Sequence, residues 1–473
     1  MLDATRRTFL QQGLGLGAIA LGALDSGAQA QEPVSALAPK APPLPAKVKR
    51  VLYLSMSGAP PQHDMFDPKP QLDALDGTPC PAHLFEGKRL AFIKGRPKLL
   101  GSPHKSSIVD ALGVPVTDLM PGFREYAKDV CLVRSLHTDQ FNHAPAEMLL
   151  YTGNPTIGKP SLGTWTTWGL GSINQDLPGY VVLVSGGSDP TGGKSLWSSG
   201  FLPSEYQGVR LRSKGDPVLY VSDPKGLERP LRRRMLDALR TLNEEDHARH
   251  QDPETLARIE QYELAYRMQM AVPEVTDLSK ESTDTLERYG AQPGEGSFAN
   301  NCLLARNLLE NGVRFVQLFD WGWDLHGTNP GDDLITMFPK KCGEIDQPIA
   351  ALMRDLSESG LLEDTLVIWG GEFGRTPMLE ARGGSKLLGR DHQPDCFTVW
   401  LAGGGVKAGH VHGSTDDLGA AVHEDGVSVR DLQATVLHLL GFDAEEMRFP
   451  HQGLDQRLIG PADGPRVAGG ILS

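Results

Sequence analysis

Imidazoles and carboxylates recur in four short groups along this sequence, each beside an apolar run. They are His63, Asp64 and Asp67; Asp320, Asp324 and His326; Glu372 and Arg375; and Asp391 and His392. Nitrogen and oxygen donors converging from separate loops suit a hard or borderline divalent cation such as Zn, Mn, Mg or Ca. One pair such as Asp324-x-His326 is also what a solvated turn looks like; four groups meeting at one edge would make a site. Arg375 could pair bidentately with a sulfate or phosphate, or equally with a neighbouring carboxylate. Asn142-His143-Ala144-Pro145 opens a helix-like stretch, and a helix N-terminus favours an anion.

Other patterns carry less. His410-x-His412 reads as a solvated loop despite its metal-like spacing. Gly403-Gly404-Gly405 lacks the Lys-Ser/Thr of a phosphate-binding loop, and no G-x-G-x-x-G follows a strand. Trp165, Trp168, Trp321 and Trp323 could stack on a sugar ring, although aromatic core packing is the commoner use.

The elements that must position these residues alternate. Short apolar runs at 49–54, 129–134, 180–184, 313–319, 365–369 and 396–401 read as strands. Helical patterns fall at 145–151, 298–310, 345–357 and 429–440. Near-continuous apolar strands separated by helices predict an α/β fold with a largely parallel sheet flanked by helices on both faces. In such sheets ligands bind at the carboxyl ends of the strands, which is where the four polar groups fall. Residues 227–271 differ, reading as two charged amphipathic helices broken at Gln251-Asp252-Pro253, a helical insertion reaching to about 280.

Several of these stretches also resemble a known family. They are Thr365-Leu366-Val367-Ile368, Glu372-Phe373-Gly374-Arg375-Thr376-Pro377 and Gly389-Arg390-Asp391-His392-Gln393-Pro394. With them go His63-Asp64-Met65-Phe66-Asp67-Pro68, Asn142-His143, Trp323-Asp324-Leu325-His326 and Asp431-Leu432-Gln433-Ala434-Thr435. Together, over most of the chain, they resemble the exported sulfatase-like family catalogued as domain of unknown function 1501. That family is grouped with the alkaline phosphatase and sulfatase superfamily. Its members bind one or two metals at the carboxyl edge of a parallel sheet. They cleave phosphate or sulfate esters through a Ser, Thr or formylglycine nucleophile.

The resemblance implies an alkaline phosphatase-like fold in which Asp64, Asp324, His326, Glu372 and His392 hold a divalent metal. Arg375 would steady the anion and His143 would act as base or ligand. Departures from the pattern matter. Asp324-x-His326 is shorter than the usual Asp-x-x-x-His, Glu372 replaces an Asp, and Phe373 replaces a metal-binding His or Asn. His143 occupies the nucleophile position, where it could bind a metal, act as a base, accept a phosphoryl group or simply cap the helix, and no cysteine lies in the formylglycine motif. The expected function is a metal-dependent hydrolase of sulfate or phosphate esters, on small molecules or a polysaccharide. The cation would neutralise ester oxygens and lower the pKa of a water toward ~7. Two rivals stand beside it. One is a non-catalytic carbohydrate- or anion-binding scaffold on a decayed sulfatase-like fold. The other is an exported redox enzyme, which the lack of haem, iron–sulfur and dinucleotide motifs disfavours.

Thr5-Arg6-Arg7-Thr8-Phe9-Leu10, a weakly apolar stretch from Leu14 to Leu24, and Ala28-Gln29-Ala30 follow the order of a cleavable twin-arginine signal. They predict a signal peptide over 1–30, passage through the twin-arginine export machinery, and a periplasmic or secreted protein. A Pro/Ala-rich linker over 31–48 would precede one domain over 49–473. No later stretch approaches the ~18 uncharged apolar residues of a membrane span. The net charge is -13, and Arg6 and Arg7 cancel Asp3 and Asp25, so losing 1–30 leaves it unchanged. An acidic surface argues against nucleic acid as a partner. Cys80, Cys131, Cys302, Cys342 and Cys396 have no zinc or haem spacing; they allow one or two disulfides and leave at least one thiol unpaired.

Overall fold

Val51 and Tyr53 alternate with Leu52, Leu54 and Met56 along β1 (Arg50–Ser57), and all five are buried. A strand apolar on both sides belongs inside a sheet covered on both faces. The computed structural model, which describes residues 36–212, 229–460 and 464–473, places β1 there. The expected 1–30 signal lies outside the described residues. The other strands of the main sheet are β2 (Val130–His137), β3 (Tyr180–Ser185), β4 (Val209–Arg210) and β5 (Phe315–Trp321). They are followed by β6 (Thr365–Gly370), β7 (Phe397–Gly403), β8 (His410–His412) and β9 (Val427–Ser428). The order is β8-β2-β7-β6-β1-β5-β3-β4, with β9 also on β2.

β1 runs parallel to both neighbours, Leu54 facing Leu318 of β5 and Trp369 of β6. Only β7 runs against its neighbours, antiparallel to β2 and β6. That reversal decides the site: residues leading into β7 reach the edge where β1, β5 and β6 end.

The helices longer than two turns are α1 (His143–Thr152), α2 (Leu162–Leu170), α3 (Arg229–His250), α4 (Pro253–Thr276), α5 (Phe298–Glu310), α6 (Met337–Glu358) and α7 (Val429–Leu439). α1, α2 and α7 close one face over Val51, Tyr53 and Phe319. α5 and α6 close the other over Leu52, Leu54, Met56 and Trp369. α3 and α4 pack on each other where the insertion was expected. α7 starts on a capping box between Ser428 and Asp431. No helix among the described residues is long and apolar enough to cross a membrane.

Three expectations shift. β5 begins two residues later than its apolar run and extends to Trp321, so Asp320 lies inside the strand. There it is buried against Lys341 Nζ at 2.5 Å rather than free in a loop. The described part of the Pro/Ala-rich segment is strapped down: the N–H groups of Lys40, Leu44 and Lys47 donate to the carbonyls of Leu170, Gly441 and Leu439. All five cysteines are buried free thiols, so no disulfide forms.

The group after β1 serves the fold. His63 Nε2 faces the carbonyls of Leu418 and Gly419 at 3.1 and 3.0 Å, and Asp67 pairs with Lys69 at 3.0 Å and Arg134 at 3.3 Å. Asp64 meets Arg390 through both oxygens, at 2.7 and 3.1 Å, with neither side chain exposed. Burial would raise the Asp64 carboxyl, but the Arg390 charge and its hydrogen bonds hold it below the usual carboxylate range. A depressed folded pKa means the stabilisation is fully present above the ordinary carboxyl pKa of about 4 and is lost as pH falls below it.

Removing one partner of such a pair strands a buried charge. Asp64→Ala is expected to lower the unfolding free energy by about 3–5 kcal/mol. Asp64→Ala combined with Arg390→Met should recover most of that loss. Urea unfolding at pH 7 measures both, and a loss below about 1 kcal/mol would reduce the pair to the weight of a surface contact.

Candidate metal centre

Three histidines from three elements bring their Nε2 atoms to one carboxylate. His326 Nε2 lies 2.7 Å from Asp324 Oδ1, His143 Nε2 at 3.1 Å and His392 Nε2 at 3.4 Å. Asp324 and His326 follow β5, and His143 opens α1. His392 belongs to a short antiparallel pairing of His392–Gln393 with Gly374–Arg375, just ahead of β7. One donor atom from each of the four lies within 4.8 Å of the others.

Each ring is anchored by its other nitrogen. His143 Nδ1 is 2.5 Å from Glu372 Oε1, and His392 Nδ1 is 2.8 Å from the Phe141 carbonyl oxygen. His326 Nδ1 bonds Glu380. A carboxylate or carbonyl on Nδ1 fixes the tautomer and leaves Nε2 as the outward donor atom. Despite its 3.1 Å approach to Asp324, the buried His143 Nε2 has no aligned hydrogen-bond partner.

Arg375 closes the floor. Its guanidinium is fully buried and donates to the carbonyls of Gly58, Ala59 and Arg390 and, at 2.6 Å, to Asp324 Oδ1. The exit of β1 crosses here. Gly58, at φ +107°, donates its N–H to Glu372 Oε1 at 3.0 Å, and a Cβ on it would lie 2.5 Å from the Asp324 nitrogen. Any larger residue would part β1 from the loop that carries Asp324.

Electrostatics follow from this packing. Burial alone would raise the Asp324 carboxyl, but Arg375 and the three imidazoles hold it far below the usual range. Burial works against a charged His143, yet contact with Asp324 and Glu372 outweighs it and raises the ring to about 9. Burial pushes His392 down to about 4; Asp324 opposes that, and the positive Arg375 adds to it. One turn along α1, buried Glu147 is raised to about 8 by burial and by the nearby Glu372. Its Oε2 accepts the Gly192 N–H at 2.7 Å.

Aromatic rings bound the cluster. The Phe373 ring centroid lies 4.9 Å from that of His143 and 4.7 Å from that of His392. Phe92 stands 5.0 Å from His326 and 5.7 Å from His392. Beyond His392 opens a cavity of about 350 Å³ whose lining includes Lys88, Arg89, Phe141 and Asp395. The Arg89 guanidinium lies 4.2 Å from the Phe141 ring centroid.

The structure therefore gathers Asp324, His326, His392 and His143 into one cluster. Glu372 stands behind it, on the Nδ1 of His143 rather than among the Nε2 atoms. Arg375 lies beneath it, turned to Asp324 and to carbonyls rather than toward a ligand. Asp64 is elsewhere, with both oxygens taken by Arg390. Glu380 and the Phe141 carbonyl were not singled out in the sequence: one is a lone acid in an irregular loop, the other a backbone group with no signature. Trp165 and Trp323 are core residues, whereas Trp321 is partly exposed.

No curated protein matches the chain. Among solved structures, the lipoteichoic acid synthase LtaP from Listeria monocytogenes aligns at TM-score 0.38 and 10% identity, covering 90% of this chain and 79% of that one. The PsFucS1 sulfatase from Pseudoalteromonas sp. aligns at 0.38 and 13%, covering 89% and 73%. A TAB5 alkaline phosphatase mutant with Mg bound in its M3 site aligns at 0.32 and 14%, covering 78% and 94%. At such scores the likeness assigns no residue a role. A family model described as a protein of unknown function, DUF1501, matches residues 48–470. With nearly all of the described domain inside that match, the chain belongs to the DUF1501 family.

Proposed function

We propose that this chain is an exported metal-dependent hydrolase of sulfate or phosphate esters, with a polysaccharide among the candidate carriers. The observation that carries this reading is the convergence of three imidazole Nε2 atoms on Asp324, each ring tied at Nδ1. Three nitrogens and one carboxylate make a donor set for Zn or Mn rather than for Mg or Ca, which prefer oxygen. The His143 Nε2, 3.1 Å from Asp324 Oδ1 but not aligned with it for a hydrogen bond, fits the same group. His143, Asp324, His326 and His392 would hold the cation. When bound, it would supply Lewis-acid polarisation of an ester oxygen and a water acidic near neutral pH.

The chain's own residues supply the rest. Glu372, Glu380 and the Phe141 carbonyl orient the rings, Arg375 keeps Asp324 ionised, and Phe373 and Phe92 shield the ring faces from water. The Asp324 side chain remains 28% exposed, so a ligand can reach the cluster from solvent. With Arg375 enclosed, Arg89, which lines the same cavity as His392, would be the guanidinium to meet a sulfate or phosphate. The head of α1 offers no hydroxyl or thiol, which supports attack by water rather than by a side-chain oxygen or sulfur. Arg6-Arg7 and Ala28-Gln29-Ala30 support export to the periplasm or beyond.

Mass spectrometry of protein purified without chelator should find about one equivalent of Zn or Mn, absent from an Asp324→Ala/His392→Ala variant. No metal in either, even after soaking, would overturn the hydrolase reading. Metal retained with no turnover of any sulfate or phosphate ester would favour an anion-binding protein instead.

Glu372→Gln should weaken metal affinity about 10–100-fold while leaving the ligands in place, as competition with a chelator would show. His143 holds its proton up to about 9 without a cation, so binding at pH 7 must displace it. Apparent affinity should then fall roughly tenfold for each pH unit below 9, with proton release visible by calorimetry in buffers of different ionisation enthalpy. If Arg89 meets the substrate anion, Arg89→Ala should raise KM about tenfold or more with metal content unchanged.

A further inference from the structure

A second cleft, about 620 Å³, lies between the ends of β3 and β5 and helix α6. Trp321 lines it, and the Trp321 and His143 ring centroids are 6.4 Å apart, so cleft and cluster share a wall. Gly186, Gly187 and Gly322 add backbone to the lining, beside side chains that include Tyr289, Phe298 and Met337. A Cβ on Gly186 would lie 2.2 Å from the Trp321 carbonyl oxygen, so close approach accounts for that glycine.

Gly343 has no such explanation. It lies within the 22-residue helix α6, its φ is not positive, and a Cβ built on it would meet nothing within 4 Å. A glycine inside a helix costs about 0.5–1 kcal/mol relative to alanine. Neither packing nor backbone geometry requires it here. What a larger side chain would change is the space in the cleft.

The charges around that space cancel. Lys341 Nζ lies 2.5 Å from Asp320 Oδ2 and 3.1 Å from Glu344 Oε2, and Lys340 Nζ lies 3.7 Å from Glu344 Oε1. An indole wall, backbone donors and acceptors, and balanced charge suit a ring with apolar faces and a polar rim. We infer that this cleft is a subsite for an uncharged sugar ring, kept open by Gly343 and walled by Trp321. That the ring neighbours a cleaved ester rests on the proposed hydrolase function; the subsite itself rests on the cleft.

Calorimetric titration of the full chain with maltohexaose, cellohexaose and β-1,4-galactohexaose tests it. At least one should bind, with Gly343→Phe and Trp321→Ala each weakening it by roughly tenfold or more. Gly343→Phe should melt no lower than the unaltered chain, and Gly343→Ala should bind within about threefold of it. Binding of none of the three sugars by the unaltered chain would overturn the subsite, as would equal binding by a folded Gly343→Phe variant. Metal content measured on the same sample separates the two readings. Sugar binding without metal leaves the subsite and removes the hydrolase, and metal without sugar binding does the reverse.

Discussion

Arg375 is a guanidinium with no exposed surface, held by three backbone carbonyls and one carboxylate. A buried charge is tolerated only when it is paired and its donors are satisfied. Here the donors reach Gly58 and Ala59 after β1, Arg390 before β7, and Asp324 after β5. One side chain thus joins three strand ends, and the energetic demand of satisfying it fixes their separation. Asp324 is in turn kept ionised beneath imidazoles that would otherwise lack a common acceptor. Remove that constraint and neither the cluster nor the crossing of Gly58 beneath it has a reason to persist.

A second arginine repeats the device one layer out. Arg390 pairs with Asp64 and donates to the carbonyls of Leu100, Thr376 and Gly101. The two guanidiniums meet through backbone, since Arg375 Nη1 donates to the Arg390 carbonyl at 3.1 Å. The segment that presents His392 is therefore held on both sides by buried cations. Ligand atoms on a segment so fixed lose little freedom on binding, a condition for tight and selective sites.

Much of this was legible from residue types. Apolar runs and helical periodicity located β1, β2, β3, β5, β6, β7, α1, α5, α6 and α7, because burial on both faces of a sheet leaves an unmistakable pattern. The start of α6 at Met337 was missed; Pro339, Lys340, Lys341 and Gly343 in its first two turns obscure the helical pattern. Strand ends led to Asp324, His326 and His392, and the family resemblance singled out His143. What sequence could not separate was a carboxylate facing the cluster from one serving the fold. Asp64 and Asp324 both follow a strand, and the difference lies in which arginine each meets across more than fifty residues. Likewise Glu372 and Glu380 act through ring nitrogens whose orientation exists only in three dimensions.

The five enclosed thiols have a consequence for where this chain can mature. Burial raises every one, Cys131 to about 12 and Cys302, Cys342 and Cys396 well above the ordinary range, and it also raises Cys80. Exchange chemistry needs a thiolate and access to it, and these side chains offer neither. The architecture asks for no oxidant to complete it and presents little to one afterwards. As far as its thiols are concerned, the same fold forms in a reducing solvent and persists in an oxidising one.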